Sequence, residues 1–126
     1  VCTISTHDMA TLRGWWEEDP ELTARYYNHV LGHWGEVPAT APGEVCEEII
    51  RQHLQCPSLL AILSFQDWLS MDEELRYPDA NAERINVPAN PRHYWRYRMH
   101  LTLEELMKSH KFNEKMRGMI DETNRY

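Results

Sequence analysis

No apolar run in the 126 residues is long enough to cross a bilayer, which takes about 20 consecutive apolar residues, so no membrane partner is expected. Cysteine is scarce: Cys2, Cys46 and Cys56 are odd in number and lack the spacing of a small secreted disulfide scaffold, so reduced thiols in a cytoplasmic protein are the natural reading. Basic residues are the minority, 13 Lys and Arg against 20 Asp and Glu, for a net charge of -7 spread as single acids and short pairs. Without a basic stripe nothing replaces the counterions of a phosphate backbone, which excludes nucleic acid as a partner. The chain also lacks a basic segment followed by an apolar stretch, and it opens on Val1 without an initiating Met, as expected of an internal fragment or a processed product. Internal repeats, low-complexity tracts and interdomain linkers are absent, so 1–126 reads as a single region. The 42% of hydrophobic side chains suffices for one modest core.

What is there reads as alternating extended and helical segments. Val1 to Ser5 is short and β-branched, like the end of a strand, and runs into the polar cluster Thr6, His7 and Asp8. A helix follows from Met9 to Glu18. Asp19 with Pro20 then supplies an N-cap and a proline at the first helical position. Leu22, Tyr26 and Val30 give that second helix an apolar face, and Gly32 stops it. After a proline-containing loop, Val45, Ile49, Ile50 and Leu54 predict an amphipathic helix over Glu44 to Gln55. Ser58 to Phe65 (SLLAILSF) suits a parallel strand buried on both faces, with a buried helix as the competing reading. Gln66 and Asp67 end that run as Thr6 to Asp8 end the first, so the order is strand, helices, strand, the order of a barrel unit. Met71 to Tyr97, with Pro78, Pro88 and Pro91, reads as a long functional loop. Thr102 and Glu105 predict a capping box, and Phe112, Met116, Met119 and Ile120 a last helix from His110 to Thr123, weakened by Gly118.

Four segments carry a resemblance. STHDMATLRGWWEED (Ser5 to Asp19) is similar to the last catalytic-carboxylate motif of the amylomaltase, or disproportionating-enzyme, family of 4-alpha-glucanotransferases. FQDWL (Phe65 to Leu69), NVP (Asn86 to Pro88) and HYWRYR (His93 to Arg98) follow in that family's order. The NPRHYWRYR wording, longer than the NW-x-WR form of bacterial amylomaltases, resembles the branch that includes the plant cytosolic disproportionating enzymes.

The resemblance implies an α/β fold, the C-terminal portion of a (β/α)8 TIM barrel, predominantly helical as an isolated fragment. It implies a retaining transglycosylase acting on malto-oligosaccharides or alpha-glucans, in which one carboxylate attacks the anomeric carbon and another protonates the departing sugar. On the matching motif a third carboxylate, here Asp8, stabilises the oxocarbenium-like transition state, and His7 donates to a sugar hydroxyl. Gln66 and Asp67 are candidates to line or brace the donor sugar site, and Asn86 is a candidate sugar contact. No acid in this chain occupies a motif matching the family's nucleophile or general acid, so the chain alone is expected to be inactive. Neither cofactor nor metal is expected. The alternative is a non-catalytic helical interaction or carbohydrate-binding module.

Read without the resemblance, a Thr-His-Asp cluster is more often a turn or cap than a site. For Gln66, Asp67 and Asn86 the loop-bracing and sugar-binding readings both stand, since amide and carboxylate side chains routinely satisfy loop backbone. Trp15, Trp16, Tyr94 and Trp95 are more often packing than sugar platforms. Arg96 and Arg98 are expected to pair with nearby acids. His29 with His33, and His53 with Cys56, have short ligand-like spacings but no further ligands at zinc-site distances. Pairs such as Glu47-Glu48 are adjacent on a helix, point apart and read as solvated. The exposed apolar segments of an isolated chain predict self-association through Leu59, Leu60, Ile62 or Leu63.

Overall fold

The computed structural model describes residues 1–125 and is helical. In order, α1 is Leu12–Glu18 and α2 is Pro20–Arg25, which continues as a π turn over Tyr26–Val30. Helix α3 is Gly43–Gln55 and α4 is Phe65–Leu69; a 3-10 turn spans Ala80–Glu83, α5 is Leu103–Lys108 and α6 is His110–Glu122.

Local chemistry sets these boundaries. The first helix begins at Leu12 and not at Met9, because the Thr11 hydroxyl accepts the Gly14 N–H and fixes the cap there. Asp19 accepts from the Glu21 and Leu22 N–H groups ahead of Pro20, as the sequence predicts. Gly32 ends the π turn at φ 72°, a left-handed conformation open to glycine at little cost. The capping box of Thr102 and Glu105 is present.

Helix α3 is the centre of the core. It buries Val45, Cys46, Ile49, Ile50 and Leu54, with Leu12 and Trp16 of α1, Leu69 of α4 and Phe112 and Met119 of α6 in the same cluster. Each fully buried aliphatic chain contributes about 1.5–3 kcal/mol. The face expected on α2 is wrong by about one residue. Leu22 and Val30 are exposed, whereas Thr23 is buried and its hydroxyl donates to the Trp16 carbonyl at 2.7 Å. That bond rotates the helix so that Thr23, Tyr26 and Tyr27 face inward and Leu22 faces outward.

The strand expectations need correction. Among the described residues the only strand-like pairing is one parallel bridge, Cys2 with Ala61, made by Cys2 N–H to the Leu60 carbonyl (2.8 Å) and Ile62 N–H to the Cys2 carbonyl (2.9 Å). Ser58 to Phe65 is not buried on both faces. Leu59 is 93% exposed, Leu60 54% and Ile62 60%, while Ala61, Leu63 and Phe65 pack against the core. From Leu60 to Leu63 exposure alternates, as in an extended segment covered on one side, while Leu59 is exposed as well. Ser64 then caps α4 by accepting the Asp67 N–H, so Gln66 and Asp67 lie in a helix and not at a strand end.

Candidate functional site

The loop from Ser5 to Leu12 connects the extended N-terminal segment to α1, and one side chain ties both of its ends. Asp67 on α4 accepts from the Ser5 hydroxyl through Oδ2 and from the Leu12 N–H through Oδ1 at 2.9 Å. Asp67 is fully buried and Ser5 nearly so. The carboxylate therefore spans the base of the loop. Its neighbour Gln66, also buried, donates from Nε2 to the Glu83 carbonyl at 3.2 Å.

A second fastening lies beside the first. Arg13 of α1 and Glu83 of the 3-10 turn, 6% and 1% exposed, meet at 2.6 Å. Thr11 donates its hydroxyl to the other Glu83 oxygen at 3.0 Å, and Arg13 also donates to the Tyr77 carbonyl. Burial raises the Glu83 pKa above the ordinary carboxylate range, against the opposing pull of Arg13 and Thr11. Sequence reading missed both residues. The available signal was Arg13 between buried Leu12 and Trp16, since a cation on a core-facing surface calls for a buried anion.

These fastenings place Asn86 over the loop tip. Its backbone N–H donates to the His7 carbonyl at 3.1 Å, and its side-chain Nδ2 donates to Asp8 Oδ1 at 2.7 Å. Asp8 Oδ2 lies 3.2 Å from His7 Nε2, and both side chains are more than half exposed. The Trp95 ring stands 5.1 Å from the His7 ring, tilted by 41°. Asp8 is thus held by an amide and an imidazole, with lone pairs free toward the open side. A cavity of about 50 Å³ under the loop, bordered by Ser5, His7 and Gln66, is far below the ~300 Å³ of a small-molecule pocket. A larger cleft of about 250 Å³ between Asp72 and Lys115 includes no residue of the loop. The Asp8 carboxylate is open to solvent on the exposed face of the loop.

The structure brings His7, Asp8 and Asn86 together at this tip and sets Gln66 and Asp67 behind it. Trp15 and Trp16 are used in packing: Trp16 is buried with its indole N–H on the Pro38 carbonyl, and Trp15 meets Tyr26 edge-on. Tyr94 and Trp95 are exposed. Arg96 and Arg98 form no ion pair among the described residues; the Arg96 guanidinium lies 4.8 Å from the centre of the Tyr94 ring. His33 pairs with Glu48 at 2.7 Å, and His53 Nδ1 contacts the Ile49 carbonyl.

Comparison with known proteins gives the loop its context. A family model described as 4-alpha-glucanotransferase matches residues 1–103. The chain is 38% identical over 125 residues to the 4-alpha-glucanotransferase DPE2 of Oryza sativa subsp. japonica, covering 99% of this chain and 13% of that protein. It is 30% identical to the 4-alpha-glucanotransferases of Chlamydia pneumoniae, over 90% of this chain and 21% of the relative, and of Aquifex aeolicus, over 94% and 21%. No solved structure gives a significant match. The chain spans about a fifth or less of the length of these relatives, and across nearly all of its own length it belongs to the 4-alpha-glucanotransferase family.

Proposed function

We propose that the chain is the part of a retaining 4-alpha-glucanotransferase that supplies the third carboxylate, Asp8, to the sugar in the cleavage subsite. The observation that carries the reading is the exposed Asp8 carboxylate at the loop tip, fixed by Asn86 at 2.7 Å. In a double displacement the anomeric carbon gains positive charge as the leaving sugar departs. A carboxylate already oriented beside that charge stabilises the transition state more than the neutral ground state, which is the requirement for raising kcat. His7 donates to a sugar hydroxyl, Asn86 holds Asp8, and Gln66 and Asp67 brace the loop. The substrates are malto-oligosaccharides or alpha-glucans, the compartment is the cytoplasm, and no cofactor is used.

The fold that suits this role is the end of a (β/α)8 barrel. The Cys2–Ala61 bridge is parallel with helices between its halves. Parallel pairing requires such a crossover, and barrel sites lie at the C-terminal ends of the strands, where Thr6 to Asp8 follow the first half of this bridge. Nucleophile and general acid then come from other strands, and the 126 residues by themselves carry no transfer activity.

The test is to incubate the full-length protein and the 126-residue chain, separately, with maltotriose and to follow longer glucans and glucose by chromatography. Transfer by the full-length protein and none by the chain is expected. Glucose without longer glucans from the full-length protein, or turnover by the purified chain that disappears in Asp8→Asn, contradicts the proposal.

A further inference from the structure

Away from the loop, two thiols meet at the C-terminal end of α3. The Cys56 N–H donates to the His53 carbonyl at 3.3 Å, and the Cys2 thiol reaches the same carbonyl at 3.8 Å. The parallel bridge at Ala61 fixes Cys2 there, so that both cysteines gather at the His53 carbonyl. Arg125 gathers the turn around them. Its Nε donates to the Leu54 carbonyl at 2.6 Å, and its Nη2 donates to the Cys56 and Ser58 carbonyls at 2.7 and 2.8 Å and lies 3.8 Å from the Cys56 sulfur. Both cysteines are free and partly exposed. Cys46, by contrast, is fully buried in the core, where burial pushes its thiol up to about 11.

We propose that Cys56 and Cys2 form a reactive dithiol site for small disulfides, Cys56 attacking and Cys2 resolving, that closes to an intramolecular disulfide between the N-terminal segment and the end of α3. The division of labour follows from the surroundings. The Ser58 N–H and hydroxyl, then Cys2 and Arg125, hold the Cys56 thiol below its ordinary value, whereas burial, then Cys56, raises that of Cys2. With oxidised glutathione as the oxidant, the Cys56 thiolate attacks one sulfur, forming a mixed disulfide and expelling one glutathione thiolate. Cys2, losing its proton to solvent, then attacks the Cys56 sulfur and expels the second. Two protein thiols are oxidised, and one glutathione disulfide is reduced to two thiols. The site is independent of the glucan chemistry assigned to Asp8.

The test is to expose the reduced chain, dilute and at mildly alkaline pH, to oxidised glutathione, block remaining thiols under denaturing conditions, and read intact mass and linked peptides. A monomer lacking two hydrogens, with Cys2 joined to Cys56 and Cys46 alkylated, is expected. Cys2→Ser is expected to stop at the glutathione adduct on Cys56, and Cys56→Ser to take up neither modification at wild-type rate. A chain in which Cys2 and Cys56 both remain alkylatable overturns the proposal, as does linkage through Cys46 or a Cys2→Ser variant without the Cys56 adduct. Because the wild-type readout uses no variant, a folding defect in either serine substitution leaves the proposal falsifiable.

Discussion

Replacing Asp67 separates a brace from a bystander. Its two oxygens accept from the Ser5 hydroxyl and the Leu12 N–H, with the carboxylate fully buried. A hydrogen bond to a charged group is worth about 1.5–3 kcal/mol, and a buried N–H left without an acceptor adds its own desolvation cost. Asp67→Ala is therefore expected to destabilise the chain by about 3–5 kcal/mol, a large share of the ~5–15 kcal/mol typical of a domain. Asp67→Asn keeps one oxygen for Leu12 and offers an amide N–H to Ser5, whose hydroxyl can turn to accept. Its cost should fall to about 1–2 kcal/mol, the difference between charged and neutral bonds. Urea unfolding of the dilute chain reads both, provided the denaturant slope is unchanged. Alanine and asparagine variants within about 1 kcal/mol of wild type would refute the reasoning.

Arg13→Met leaves Glu83 buried and unpaired and should cost about 3–5 kcal/mol, whereas adding Glu83→Gln should recover part of that loss; additive costs in urea unfolding would contradict the pairing. Because burial raises the Glu83 pKa in the folded state, the native chain holds that proton more tightly than the unfolded one. Stability from this group is greatest below the ordinary carboxylate pKa and declines as pH rises toward the raised value, a slope that Glu83→Gln should remove from the unfolding profile. Exposed Leu59, Leu60 and Ile62 beside a single bridge should make the isolated chain self-associate at micromolar concentration. Light scattering after size-exclusion chromatography checks this, and a monomer that binds no hydrophobic dye argues against it. In the full-length enzyme Asn86→Ala should lower kcat roughly tenfold with little change in KM, since its donor acts through Asp8; a raised KM with unchanged kcat would identify Asn86 as a direct sugar contact.

Helices α3 and α6, and the caps at Asp19 and Thr102, were legible in the sequence because local periodicity and capping chemistry determine them. The burial of Ser58 to Phe65 was not, because an apolar run reports the surroundings it suits and not those it has. Among the described residues, nothing covers Leu59 or Ile62 enough to bury them. The tilt of α2 depended on one tertiary bond, from Thr23 to the Trp16 carbonyl, which no periodicity encodes. At the site, motif order pointed to His7, Asp8 and Asn86 and the fold placed them in contact, 78 positions apart for Asp8 and Asn86. The Arg13–Glu83 pair escaped because only Arg13 carried a signal, its place between Leu12 and Trp16, while nothing around Glu83 in the sequence marks it as the buried partner.

The central claim is that Asp8 stabilises the transition state and does little for the fold. Its measurement is the steady-state kinetics of maltotriose disproportionation by the full-length enzyme carrying Asp8→Asn, alongside its melting temperature. The account predicts a kcat lower by roughly 10²–10⁴-fold, equivalent to about 3–5 kcal/mol of transition-state stabilisation, at nearly unchanged melting temperature. Kinetics within a few-fold of wild type, with melting unchanged, would contradict it and leave Asp8 as a loop residue held by Asn86.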